Sequence, residues 1–230
     1  MPDYDSQQNE PRPKTTTALA VERLKSMILS GELSARSDHL ESELAARLGM
    51  SRTPVREATL VLQSLGLLEV RPRKGVRIRP VTIDDMKEVY EVLTELESLA
   101  AARAAGFGYD RTDLAILAET IERMEDALAA ENREAWAAAD EDFHSELVRL
   151  GRNQRLAEIV NNFNDQVRRA RTATLYARPL PTRSNEDHSA LFDAILSGDV
   201  ERAQEVHRGH RIRARQLLTE LLTKLGLRYI

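Results

Sequence analysis

Apolar residues recur at helical spacing through most of this 230-residue chain, and the period changes only briefly, near residue 67. In residues 16–30, Ala20, Leu24, Met27 and Ile28 fall on one face, with a threonine to cap the segment and Gly31 to stop it. Residues 41–48 predict a short second helix with Leu40, Leu44, Ala45 and Leu48 inward and Gly49 at its end. The link Gly49-Met50-Ser51 leaves room only for a tight turn into a third helix. Ser51 is placed to cap that helix through its hydroxyl. Pro54 falls at the third helical position, where its missing N–H has no intrahelical partner to lose. Val55, Ala58, Leu62 and Leu65 make the buried stripe, while Arg52 and Arg56 share another face at i and i+4.

The sequence LLEVRPRKGVRIR then alternates, with Val76 and Ile78 interleaving Arg77 and Arg79 around a turn at Pro72–Gly75. This predicts a two-stranded ribbon with a basic tip. Three small helices and such a ribbon compose a winged helix-turn-helix over 15–80. From Thr82 the pattern is long helices alone. Thr82-Ile-Asp-Asp85 is a capping signature for a helix to about Ala105. Further segments open at Asp110, Asn132, Asn153 and Ser184, and Asp199 opens the last, which ends near Lys224. The fold class expected is therefore mainly α, with an all-helical antiparallel bundle over 81–230. Residues 1–14 read as a disordered leader.

Charge changes this picture more than composition does. The net charge of −4 suggests no nucleic-acid partner, but its distribution does. Residues 1–80 hold 13 Lys/Arg against 10 Asp/Glu, and residues 47–79 hold eight basic residues against Glu57 and Glu69. A basic patch on an otherwise acidic chain is the footprint of a DNA-reading module joined to something else. No cysteine is present, which excludes disulfides and thiolate metal sites and agrees with a cytoplasmic setting. No apolar run has the length of a membrane span.

A recognition helix offers its N-terminal residues to base edges in the major groove, where arginine to guanine is the commonest specific contact. Arg52 and Arg56 occupy such positions, and Ser51 and Thr53 can reach phosphates. Arg73 and Lys74 at the wing tip can enter a neighbouring groove, with Gly75 allowing close backbone approach. Arg47 is a further phosphate candidate. A solvated surface would also carry arginines, but the order of helices, cap, arginine pair and basic ribbon favours DNA. The stretch from GELSARSDHLESELAARLGM through SRTPVREA to RPRKGVRIRPV closely resembles the winged helix of the GntR family of bacterial transcription regulators. The likeness continues into the helical region, which resembles the FadR subgroup with its FCD ligand-binding domain. It implies that Arg52, Thr53, Arg56 and Gly75 contact DNA. One departure is Ala35-Arg36-Ser37-Asp38, where the family usually has a Pro-Gly turn.

The helical region also carries four of the five histidines. Asp140 and His144 stand at i and i+4, His188 opens an amphipathic segment, and His207 and His210 lie on the last helix. Spacing alone allows either hydrogen-bonded core histidines or a nitrogen- and oxygen-rich site for a divalent transition metal such as Zn²⁺, Ni²⁺ or Mn²⁺. The resemblance selects among them. Metal-bearing FCD domains carry Asp-x-x-[apolar]-His on one helix and single histidines on two later ones. That pattern falls on Asp140, His144, His188 and His210, leaving His207 as a helix-surface residue or a support behind the ligands. It also implies a small carboxylate metabolite as effector, for which Arg168, Arg169, Arg171 and Arg183 are candidate partners. Leu93 stands where family members often carry an arginine.

The expectation is thus a metabolite-responsive regulator, more often a repressor, that binds double-stranded, near-palindromic operator DNA as a homodimer. The alternative is a metal-dependent enzyme with an accessory DNA-binding head; no HExxH motif or neighbouring nucleophile supports it.

Overall fold

Helix α1 (Thr16–Leu29) begins where Thr15 accepts a hydrogen bond from the Ala18 N–H and buries Ala20, Leu24 and Ile28. The fold is that of a computed structural model describing residues 15–227 and 229; the leader expected at 1–14 lies outside them. The chain divides into two compact units, Met1–Arg79 and Pro80–Ile230.

In the first unit, α2 (Glu41–Leu48) and α3 (Arg52–Ser64) are joined by Gly49, Met50 and Ser51. The Met50 N–H returns to the Ala45 carbonyl at 3.0 Å, which closes the turn. Ser51 stands at the N-cap of α3, but its side chain makes no capping hydrogen bond, contrary to the sequence expectation. An unengaged hydroxyl at a helix N-terminus remains available to a phosphate. Leu40 also departs from expectation: it is 47% exposed, because it precedes α2 as its cap rather than joining its inner face.

The wing is a three-stranded sheet in the order β1-β3-β2, rather than the two-stranded ribbon expected. β2 (Leu68–Arg71) and β3 (Gly75–Ile78) form the hairpin, and β1 (Asp38–His39) adds to the other edge of β3. The extra strand comes from the segment where Pro-Gly was missing. Arg36 takes a left-handed conformation (φ 65°) and donates its N–H to the Ile78 carbonyl, and Ser37 accepts from the Ile78 N–H. Asp38 then clamps the sheet, accepting from Arg77 Nε at 2.9 Å and Nη2 at 2.7 Å and from Arg71 Nη1 at 3.0 Å. The Arg77 hydrogen bond lowers the Asp38 pKa to about 2, with Arg71 adding to it against the opposing effect of burial. Gly75 (φ 83°) lies so close to β1 that a Cβ there would stand 2.2 Å from the His39 carbonyl oxygen, so glycine is required for both reasons.

The second unit is built from α4 (Ile83–Gly106), α5 (Ala115–Ala129), α6 (Arg133–Leu150), α7 (Gln154–Thr174), a 3₁₀ turn at Leu175–Ala177, α8 (Thr182–Ser197) and α9 (Val200–Lys224). The capping signature at Thr82 forms as read, with Thr82 and Asp85 bonding each other's backbone N–H. Asp110 instead caps a turn ahead of α5, accepting from the Thr112 and Asp113 N–H groups. Helix α8 opens two residues before Ser184. Helices α4 and α9 run antiparallel, since Glu95 pairs with Arg208 and Glu91 with Arg215. Two apolar clusters fill the unit. One gathers Ala101, Leu117, Phe143, Leu147, Leu191 and Ala203; the other gathers Met86, Leu93, Val160, Ala170 and Leu218. Along α4 and α9 a polar layer separates them: Glu97 follows Leu93, and His207, His210 and Arg211 lie between Ala203 and Leu218.

Candidate metal centre and nucleic-acid interface

Within the first unit the fold sorts the basic residues. Arg71 and Arg77 are held by Asp38, and Arg47 Nη1 stands 4.0 Å from Glu32. Arg52 and Arg56 project from the first turn and a half of α3, both exposed. Arg73 and Lys74 are exposed at the hairpin tip, where the Lys74 N–H closes a turn on the Arg71 carbonyl and Arg73 is left-handed (φ 63°). Among the described residues, none of these four has an ion pair.

In the second unit, single ligand atoms of Asp140, His144, His188 and His210 all lie within 4.8 Å of one another. The first two come from one face of α6, the others from α8 and α9. Each is nine-tenths or more buried, and His188 is sealed by Phe143, 4.3 Å between ring centroids, and Trp136, 6.4 Å. Neither ring nitrogen of His188 makes a hydrogen bond among the described residues, although Nε2 stands 3.5 Å from Asp140 Oδ1, and buried polar atoms are rarely left without a partner. The carboxylates behind the histidines set their orientation. His144 Nδ1 faces Glu97 Oε2 at 2.9 Å, leaving Nε2 on the side of Asp140, 3.8 Å away. His210 Nδ1 lies 3.4 Å from Asp187 Oδ2, which Arg213 holds at 2.6 Å.

Electrostatics prepare the same outcome. Burial, with the charge of His210, holds His188 well below the usual imidazole range, and burial lowers His210 as well. Asp140 feels burial in the opposite sense, but Arg171, 2.5 Å away, and the surrounding histidines outweigh it and keep the carboxyl ionised. Imidazoles that resist protonation, as His188 and His210 do, beside an ionised Asp140 suit ligation of a divalent ion.

His207 is not the surface residue expected. It is 1% exposed, its Nε2 is 3.4 Å from Glu97 Oε2, and its Nδ1 is 3.4 Å from Ser98 Oγ. Burial lowers its pKa to about 4 against the pull of Glu97. Glu97, His144 and His207 form a second convergent group, but Arg211 Nη2 engages the other Glu97 oxygen at 3.2 Å. Burial alone would raise the Glu97 carboxyl, yet Arg211 and His144 hold it well below the usual range. Glu97 therefore acts as a buried anion behind His144. Its available signal in the sequence was a lone acid on the apolar face of α4 that includes Leu93, Ala100 and Ala104.

A cavity of ≈ 270 Å³ opens beside the centre, with Asp140, His144, His210 and Trp136 in its wall. The predicted arginines divide around it. Arg171 lines it and pairs with Asp140. Arg183 reaches its rim but is largely exposed, 3.5 Å from Asp187 Oδ1. Arg168 lines a neighbouring cavity, 3.6 Å from Glu141, and the buried Arg169 lines neither. Sequence reasoning missed Arg133, Arg178, Arg211 and Arg213, which also line the first cavity.

Comparison with known proteins agrees with both units. Residues 16–78 match the family described as bacterial regulatory proteins, gntR family, and residues 88–213 match the FCD domain. A protein of Paenarthrobacter nicotinovorans named "Probable D-xylose utilization operon transcriptional repressor" is 32% identical over 198 residues, 86% of each chain. An uncharacterized HTH-type transcriptional regulator of Agrobacterium vitis is 44% identical over 110 residues, 47% of this chain and 64% of that one. Among solved structures, E. coli McbR/YncC superposes with a TM-score of 0.74 at 24% identity, over 90% of this chain and 99% of that one, a likeness of fold. No helix among the described residues is long and apolar enough to cross a membrane. The enzyme alternative falls with these matches, and the chain belongs to the GntR family of transcription regulators, with an FCD domain following its winged helix-turn-helix.

Proposed function

We propose that this regulator is a cytoplasmic repressor that binds a near-palindromic operator as a homodimer and is controlled by a small organic acid at a metal-assisted site. The observation that carries the effector reading is the convergence of Asp140, His144, His188 and His210 beside a cavity. These four residues would hold a Zn²⁺, Ni²⁺ or Mn²⁺ ion. When bound, the ion supplies open coordination positions for carboxylate oxygens. The protein's own contribution is to bury the four side chains, which disfavours protonation of His188 and His210, and to keep Asp140 ionised beside Arg171. On the DNA side, Arg52 and Arg56 read bases, Ser51 and Thr53 engage phosphates, and Arg73, Lys74 and Gly75 bring the wing to an adjacent groove. Paired half-sites support dimerisation, since one small reading head buries little surface.

The test uses duplex sites selected in vitro from random DNA, at fixed salt. Arg52→Ala and Arg56→Ala each weaken specific binding by about 5–150-fold, the equivalent of ~1–3 kcal/mol per base contact. Binding to unrelated DNA changes much less. Unchanged specific affinity in both variants overturns the reading-head assignment. In the same assay, metal-loaded protein is titrated with small carboxylic acids, and operator affinity shifts by roughly 5–150-fold for the correct class. An operator affinity indifferent to every acid, with metal bound, would sink the effector reading.

A further inference from the structure

The cavity beside the metal-ligand residues carries more positive charge than its own acids neutralise. Six arginines line it, against Asp140 and Asp187. Five have evident partners. Arg171 pairs with Asp140 at 2.5 Å and Arg213 with Asp187 at 2.6 Å. Arg211 pairs with Glu97 at 3.2 Å, and the exposed Arg183 lies near Asp187 and Glu186. Arg133 Nη1 donates to the Arg178 carbonyl at 2.8 Å.

Arg178 is different. Its Nε donates to Thr174 Oγ1 at 3.0 Å, but among the described residues it has no ion pair, and its Nη2 is buried with no hydrogen-bond partner. Burial and the nearby Arg171 lower its pKa to about 10, which still leaves the guanidinium protonated at neutral pH. The backbone around it is constrained. Arg178 leaves the 3₁₀ turn into Pro179-Leu180-Pro181, and Arg133 pins its carbonyl. Arg178 is half-buried and lines the cavity, and its buried Nη2 is an unused donor; a guanidinium so held is suited to a carboxylate from outside the chain. The position that would otherwise offer an arginine, Leu93 on α4, is fully buried among apolar neighbours and contributes no charge.

We propose that the effector is a small dicarboxylate, with one carboxylate directed to the Asp140, His144, His188 and His210 centre and the other paired with Arg178. This rests on the metal-assisted reading above. A monocarboxylate can engage either Arg178 or a metal held by the four residues, whereas a dicarboxylate can engage both.

Calorimetric titration of the metal-loaded full-length protein tests this directly. Malonate, succinate and glutarate are each compared with the monoacid of equal carbon number: propionate, butyrate and pentanoate. At least one diacid binds 10-fold or more tightly than its matched monoacid. Arg178→Gln abolishes that preference while metal content and monoacid affinity stay as in the wild type. Arg178→Lys keeps the charge, loses the planar fork, and gives a partial loss; it also serves should the glutamine variant fold poorly. The proposal is overturned if no diacid of the series binds, if monoacids bind as tightly, or if Arg178→Gln retains the preference. It is equally overturned if inorganic phosphate binds as well as the best diacid, since one compact dianion then suffices. Stoichiometric metal without a diacid preference removes this inference alone. An Arg178-dependent diacid preference in protein that takes up no metal removes the metal reading and overturns the placement of the first carboxylate at the Asp140, His144, His188 and His210 centre.

Discussion

Glu97→Ala is expected to destabilise the protein by about 3–5 kcal/mol, the range found when one partner of a buried ion pair is removed. Glu97 is 1% exposed and faces three groups: Arg211 Nη2 at 3.2 Å, His144 Nδ1 at 2.9 Å and His207 Nε2 at 3.4 Å. Taking the carboxylate away leaves the Arg211 guanidinium, itself 3% exposed, without an ion pair among the described residues and packed on the Tyr90 ring, 4.8 Å from its carbon to the centroid. A guanidinium cannot relieve this by losing its proton. Urea denaturation of the full-length protein measures the effect. Adding Arg211→Met to Glu97→Ala should recover part of the loss, because no uncompensated charge then remains. Glu97→Gln should fall between wild type and alanine, since it keeps the shape and an acceptor. A loss below ~1 kcal/mol for Glu97→Ala would show that the polar layer contributes little and that His144 is oriented by something else.

His188→Ala is expected to weaken divalent metal binding by more than about 100-fold, beyond the 10–100-fold typical of losing a supporting residue. Metal content after dialysis, measured by elemental analysis, falls from near one ion per chain towards zero. The thermal consequence follows from mass action. Metal at 100 times its dissociation constant stabilises the folded state by ~2.7 kcal/mol, which for a chain of this size is about 5–10 °C in melting temperature. Chelator should remove that increment from the wild type and change His188→Ala very little. The apo variant should fold, because the ring it lacks made no hydrogen bond through either nitrogen. Equal metal content in both proteins would refute the ligand assignment.

The two predictions separate roles that lie side by side in the structure. His188 has buried nitrogens that make no hydrogen bond among the described residues, with Nε2 3.5 Å from Asp140 Oδ1, whereas Glu97 is met by the Arg211 guanidinium and by nitrogens of His144 and His207. Loss of His188 should thus be read chiefly in metal content, and loss of Glu97 chiefly in stability.

Much of the fold was legible because helical period, caps and glycines are local signals. The boundaries of α4, α6 and α9 follow from Thr82, Asn132 and Asp199, each of which caps its helix through its side chain. The third strand of the wing was not legible. Its pairing depends on Arg36 adopting a left-handed conformation and on Asp38 meeting two arginines more than thirty residues away. Neither leaves a periodic trace in a two-residue strand.

The helix-turn-helix and the basic hairpin tip were legible as short patterns of residue types at fixed spacing, whereas Asp140, His144, His188 and His210 were singled out by the resemblance to FCD domains, spacing having left core histidines equally open. Only the tertiary structure decided which charges are spent internally. Arg71 and Arg77 are held by Asp38 while Arg73 and Lys74 have no ion pair among the described residues. His207 is buried against Glu97 rather than exposed, and Arg178, unremarkable in the chain, is left with an unused donor on a cavity wall. The physical reason is that pairing and burial are set by contacts between distant helices, and a residue's own neighbours in sequence carry no record of them.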